Sequence, residues 1–290
     1  SERPRPVHIE IPMDILAAPI DVDWTADVRV QAQRPRAEYA AINAAAKLLG
    51  EAQKPLIIAG GGAIGANDDI AALAETLNAT VFSTVAGKGI LPAQHPLNAG
   101  SNLCMPQAWD YIENADVILA IGTELSDTDK WRDKLPIKGS LIRVDIDPRK
   151  LNDLYPATLP ILSDARAFAQ AVKNALPNKT AGLSPAVAVQ QLKQTIAESQ
   201  PELQRKHMAV LDMLKHQLPT NAIIATDMTQ IAYTGNYYYA VNNTRSWLHP
   251  TGYGTLGYGL PAGIGAKIGA PERVAVVLAG DGGFLYTLQE

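Results

Sequence analysis

The chain has 290 residues, 47% hydrophobic and 19% charged. At about 100–200 residues per domain this sets an expectation of two domains, and the apolar fraction excludes wholesale disorder. With 25 Lys and Arg against 29 Asp and Glu the net charge is −4 and no basic run exists, which argues against nucleic acid or an anionic membrane as the main partner. The longest apolar runs, such as Val274-Ala-Val-Val-Leu-Ala279, are far too short to span a bilayer. The single cysteine, Cys104, cannot close an internal disulfide, which fits a reducing, cytoplasmic compartment.

In chain order, residues 7–14 alternate apolar and polar and predict a strand; 17–34 has no period and reads as a linker. An α/β alternation follows. Helices are predicted over 37–52, 68–78, 106–114 and 164–176, and strands over 55–59, 80–83, 116–121 and 140–145. Residues 60–65 form a turn and 87–100 a Gly/Pro-rich loop. Strands that are nearly continuous apolar runs, alternating with helices, predict a doubly wound parallel sheet covered on both faces. The breaker-rich stretch 177–184 is the best boundary. Beyond it the pattern restarts, with helices over 185–199, 202–218, 230–239 and 260–269. Strands are expected over 222–226, 245–248 and 273–279, and 284–290 reads as the start of a further helix.

Three glycine-rich turns carry the candidate chemistry. Gly60-Gly-Gly-Ala-Ile-Gly65 fits G-x-G-x-x-G between a strand and a helix, where amides could hold a dinucleotide's diphosphate. The next strand, Thr80-Val-Phe-Ser83, is followed by no carboxylate to take a ribose, so a plain tight turn or a vestigial nucleotide site is the leading reading. Gly280-Asp281-Gly282-Gly283 directly follows a buried-type strand. Its carboxylate stands where open α/β sheets place ligands, and flanking glycines allow a phosphate to approach. One carboxylate plus phosphate oxygens is a usual way to hold Mg²⁺; the plainer alternative is a helix N-cap. Gly252-Tyr-Gly-Thr-Leu-Gly-Tyr-Gly-Leu-Pro-Ala-Gly-Ile-Gly265 is costly in backbone entropy unless the chain curls closely around something, or packs a helix tightly on a sheet.

Together these last two segments resemble the diphosphate-binding domain of thiamine-diphosphate enzymes of the acetolactate synthase, pyruvate oxidase and benzoylformate decarboxylase group. Arg3-Pro-Arg-Pro-Val-His-Ile-Glu-Ile-Pro12 is similar to the close of that family's pyrimidine-binding domain. Gly87-Lys-Gly-Ile-Leu-Pro92 with His95-Pro96, and Val144-Asp-Ile-Asp-Pro148, resemble its central domain. The resemblance implies three parts: residues 1–34, the last strand of the pyrimidine domain plus linker; 35–177, a Rossmann-like central domain; and 185–290, the first part of a second α/β domain that binds the cofactor diphosphate.

Residue by residue, the resemblance implies that Asp281 ligates Mg²⁺ while the backbone of Gly280, Gly282 and Gly283 approaches the diphosphate. Thr229 and Gln230 would contact phosphate oxygens, Leu256 would wedge the cofactor into a V, and the Gly254 carbonyl would accept from the aminopyrimidine. His249 and Tyr253 would face substrate. The implied activity is 2-oxo acid decarboxylation or acetolactate synthase-like carboligation, through an ylide and an enamine, in a homodimer or homotetramer. A second metal ligand and the activating glutamate are expected outside these 290 residues, so the chain alone is expected to be inactive. Gly100-Ser-Asn-Leu-Cys-Met-Pro106 and Thr123-Glu-Leu-Ser-Asp-Thr-Asp-Lys-Trp131 lack the family's flavin-associated runs. FAD is therefore disfavoured and weight shifts toward a decarboxylase. Glu124, Asp127 and Asp129 read as a solvated loop, or as an acidic cluster drawing a cationic substrate such as a guanidino or amino 2-oxo acid. The competing functions are a nucleotide-dependent dehydrogenase using residues 60–65 and a non-catalytic nucleotide-binding homologue.

Overall fold

A computed structural model describes residues 8–21, 33–176 and 184–290. Its first sheet has six parallel strands: β1 (Pro55–Ala59), β2 (Thr80–Ser83), β3 (Asn98–Gly100), β4 (Val117–Ile121), β5 (Ser140–Asp145) and β6 (Leu159–Leu162). Their order is β3-β2-β1-β4-β5-β6, the doubly wound order that reverses direction between β1 and β4. Successive strand residues point to opposite faces, and both faces are covered. Ile57, Leu119 and Ile142 meet Leu49 of α2 (Tyr39–Glu51), Leu73 of α3 (Asn67–Leu77) and Phe168 of α6 (Ala165–Ala175). Leu56, Ile58 and Ile118 meet Ile112 of α4 (Pro106–Glu113) and Leu192 of α7 (Ala186–Glu198). Thus α7 buries its apolar stripe on the first sheet, although it follows the stretch 177–183.

A second, three-stranded parallel sheet has the order β8-β7-β9, from β7 (Ile223–Thr226), β8 (Trp247–Leu248) and β9 (Ala275–Leu278). Around it lie α8 (Glu202–Gln217), α9 (Gln230–Tyr238), α10 (Gly259–Gly269) and α11 (Asp281–Leu285). All four β9 residues are half-exposed, whereas β7 is buried along its length. Lys88, in the loop after β2, spans the two sheets: its Nζ donates to the carbonyls of Gly235 (2.8 Å) and Asn236 (2.9 Å) in α9 and lies 5.0 Å from the Trp247 ring. Burial pulls this ammonium down to about 7. Among the described residues no helix is long and apolar enough to cross a membrane.

The structure departs from these expectations at five places. Residues 8–12 form no strand, and a single helical turn, α1 (Met13–Leu16), follows them with Ile9 and Met13 exposed. A strand needs a neighbouring edge, and among the described residues none lies beside this stretch. The loop 87–100 ends in β3, whose Asn-Ala-Gly sequence carries no strand signal. β6 went unread because Pro160 interrupts it, yet proline is tolerated there because β6 is an edge. The terminal helix starts at Asp281 and not at 284, since Phe284 N–H already donates to the Gly280 carbonyl. A one-turn helix in the acidic loop, α5 (Asp127–Lys130), also lay below the sequence signal. Residues 1–7, 22–32 and 177–183, which hold much of the predicted pyrimidine-domain motif, linker and boundary, lie outside the described residues.

Candidate functional site

The carboxyl ends of β7 and β9 converge on Asp227, which is 1% exposed. Its Oδ1 accepts from the amides of Met228 (2.8 Å) and Gly257 (3.2 Å), and its Oδ2 from that of Gly259 (2.9 Å). A buried carboxylate is tolerable only when so paired. One side chain thereby ties the glycine-dense loop between β8 and α10 to the end of β7. The β9–α11 turn packs on the same group: a Cβ on Gly283 would stand 2.9 Å from the Asp227 Cγ. In the sequence Asp227 directly follows the predicted strand 222–226, and nothing local marks it as an anchor.

Around this anchor the predicted residues gather. Thr229 caps α9 with no hydrogen bond from its hydroxyl to the helix, and Gln230 begins the helix. The Thr229 Oγ1 lies 3.8 Å from where a Cβ on Gly280 would stand, and a Cβ on Gly282 would meet nothing within 4 Å. The start of α9 and the β9–α11 turn therefore border one open cradle. Asp281 is exposed and its Oδ1 accepts from the Gly282 amide (2.8 Å). Among the described residues no group of three or more His, Cys, Asp or Glu is placed to hold a metal, so Asp281 stands as a single carboxylate. In the loop, Gly254 has φ +74°, open to glycine without strain. Leu256 is 53% exposed and Tyr253 92% exposed, both directed away from the core.

His249 stands apart from the cradle, beside Thr226 and Tyr233. The Thr226 hydroxyl lies 3.2 Å from the Leu248 carbonyl and 2.7 Å from His249 Nδ1, so it ties the ring to the ends of β7 and β8. Burial first, and then the Lys88 charge, pull His249 down to about 4, so the ring is neutral near pH 7.

The acidic cluster does not form one face. Glu124 pairs with Lys150 (3.3 Å) and Asp127 with Lys130. Asp129 turns inward, accepting from the Val85 amide (2.9 Å) and the Ser126 hydroxyl (2.8 Å), and burial raises its pKa. Trp131 follows, 64% exposed and at φ +48°. That conformation costs a tryptophan about 1–3 kcal/mol.

The Gly60 turn is closed. The amides of Gly60, Gly62, Ala63, Ile64 and Gly65 all have acceptors within the chain, two of them the Ile121 and Gly122 carbonyls at the end of β4. A Cβ on Gly60 would stand 2.3 Å from the Gly122 carbonyl oxygen. These glycines serve backbone-to-backbone packing at the switch point and leave no row of free amides for a dinucleotide.

Two family models match in the same order. Residues 42–172 match the central domain of thiamine pyrophosphate enzymes, and residues 227–290 match their C-terminal thiamine pyrophosphate binding domain. The chain belongs to the thiamine pyrophosphate enzyme family. It is 55% identical to the probable 2-ketoarginine decarboxylase of Pseudomonas aeruginosa, over 100% of this chain and 52% of that protein. It is 32% identical to the probable acetolactate synthase large subunit of Methanocaldococcus jannaschii, over 99% of this chain and 52% of that protein. It is 31% identical to the sulfoacetaldehyde acetyltransferase of Roseovarius nubinhibens, over 98% and 52%. The chain thus spans about half the length of these curated relatives. The cradle and the Asp227-anchored loop both lie in the segment that matches the cofactor-binding domain.

Proposed function

We propose that these residues form the middle and cofactor-binding parts of a thiamine-diphosphate- and Mg²⁺-dependent enzyme that decarboxylates a 2-oxo acid with a guanidino tail. The observation that carries this reading is the 55% identity across the whole chain to a probable 2-ketoarginine decarboxylase, against 32% and 31% for the synthase and the acetyltransferase. A cytoplasmic homo-oligomer of two or four chains without flavin belongs to the same proposal.

The residues present fit the cofactor. The cradle at Gly280 and Gly282 is bare of side chains, a hydroxyl and a helix start face it, and a carboxylate stands at its rim. This donor set suits a diphosphate bridged to a hard cation. In this reading Asp281 ligates Mg²⁺, while Thr229, Gln230 and the Gly280, Gly282 and Gly283 backbone hold phosphate oxygens. When bound, thiamine diphosphate supplies a carbon nucleophile and an electron sink. The chain's own residues orient it. Leu256 offers an apolar surface for the ring system, and the Gly254 carbonyl accepts from its amino group. Asp227 keeps both in position through the Gly257 and Gly259 amides. His249, neutral and held by Thr226 through Nδ1, faces the substrate.

The test uses the full-length protein containing these residues, supplied with thiamine diphosphate and Mg²⁺. We expect CO₂ release from 2-oxo-5-guanidinopentanoate with kcat/KM at least about tenfold above that for pyruvate, lost with a chelator and restored by Mg²⁺. The 290-residue chain by itself is expected to be inactive. Acetolactate formed from pyruvate, with no turnover of the guanidino acid, would establish a carboligase instead.

A further inference from the structure

A cavity of about 280 Å³ opens between the acidic loop and the second sheet, with His249 in its wall. Its walls include Thr128, Trp131, Met228, Tyr233, His249 and Thr251. The volume lies just under the ~300–1,000 Å³ of ordinary small-ligand pockets, enough for one substrate arm. It adjoins the loop already described, because the Met228 Cε lies 3.2 Å from where a Cβ on Gly254 would stand.

The wall chemistry is one-sided. Trp131 and Tyr233 meet edge to face with centroids 5.9 Å apart, and Tyr233 meets His249 in the same manner at 6.3 Å. No lysine or arginine lines the space. The Thr251 carbonyl accepts one hydrogen bond, from the Thr128 hydroxyl (3.0 Å), and keeps a second lone pair. Aromatic faces with a carbonyl acceptor suit a flat cation bearing several N–H groups. Behind the wall, the Asp129 carboxylate holds the Val85 amide. Lys88, whose charge also acts on His249, is engaged by the Gly235 and Asn236 carbonyls.

Trp131 is the feature that packing leaves unexplained. It combines a left-handed backbone with a mostly exposed ring, yet the ring is fixed, its Nε1 donating to the Thr128 carbonyl (2.8 Å). Such a residue is held for a ligand more readily than for the core.

The structure assigns this cavity as the seat of an alkylguanidinium arm, lying against Trp131 and Tyr233 with N–H groups directed to the Thr251 carbonyl. The assignment rests on the decarboxylase reading for its substrate but not for its geometry. It replaces the acidic cluster as the source of cation selectivity.

The test has two arms, both on the full-length protein. Propylguanidinium, which needs no cofactor, is titrated while heat and tryptophan fluorescence are followed. Saturable binding is expected, weakened at least about tenfold by Trp131→Ala and largely restored by Trp131→Phe. In the kinetic arm, the wild type prefers 2-oxo-5-guanidinopentanoate over its neutral isostere 2-oxo-5-ureidopentanoate. That preference falls at least about tenfold in Trp131→Ala and mostly survives in Trp131→Phe. Equal propylguanidinium affinity in wild type and Trp131→Ala overturns the assignment, as does equal kcat/KM for the two acids in the wild type. A protein that binds propylguanidinium through Trp131 yet turns over only pyruvate keeps the cavity and loses the decarboxylase reading. One that decarboxylates the guanidino acid with undiminished preference in Trp131→Ala does the reverse.

Discussion

Two glycine-rich turns follow parallel strands in this chain, one strand buried and one half-exposed, and they have opposite surroundings. After β1, Gly60 and Gly62 lie against Gly122, and every amide from Gly62 to Gly65 is bonded within the chain. After β9, Gly282 faces open space and Gly280 meets only the Thr229 hydroxyl at the start of α9. Both turns satisfy the same sequence argument, that glycine permits close approach. What differs is the thing that approaches: the chain's own backbone in the first, and a ligand by our reading in the second. A glycine pattern alone does not distinguish these cases; what stands opposite the glycines does.

The largest expected effect lies at the anchor of the second turn. Asp227→Ala strips the Met228, Gly257 and Gly259 amides of their acceptor. It should cost on the order of 3 kcal/mol, read as a lowered thermal midpoint and faster hydrogen exchange at Gly257 and Gly259. Exchange at β1 and β4 amides should hardly change. Gly60→Ala comes next. Its Cβ would press on the Gly122 carbonyl, costing about 1–3 kcal/mol in denaturant titrations, with no effect on nucleotide binding because none is expected there.

The bridge between the regions should respond to pH. Lys88 has a folded pKa of about 7 against 10.5, lowered by burial. Between those values the unfolded chain binds the extra proton, so stability rises with pH from about 7 to about 10.5 and is flat in this group below 7. Wild type should therefore gain stability relative to Lys88→Met across that window, measured by paired melts. A constant difference would contradict the buried amine. The smallest stability effect is expected for Gly282→Ala. With nothing within 4 Å of the new methyl, it should stay within about 0.5 kcal/mol of wild type. The same methyl should weaken thiamine diphosphate binding by about tenfold or more.

Much of the first sheet was legible because its strands are short apolar runs bounded by turns: β1, β2 and β5 fall where periodicity puts them. β3 and β6 were not, because three polar or small residues and a proline-broken edge carry no local signal. The strand expected before Met13 failed for the opposite reason, since alternation cannot supply a pairing edge. At the proposed site, Asp281, Thr229 and the Gly254–Leu256 loop are assigned from motif order. Asp227 and the Trp131 cavity are not. Their importance depends on which amides and rings a fold brings together across tens of residues, and spacing along the chain does not encode that.

The most direct test is Mg²⁺-dependent binding of thiamine diphosphate to the full-length protein, compared between wild type and Asp281→Ala by calorimetry. Our account predicts saturable, chelator-sensitive binding in wild type and an affinity at least about a hundredfold lower in the variant. Equal affinity in the two proteins, or binding indifferent to Mg²⁺, would contradict it.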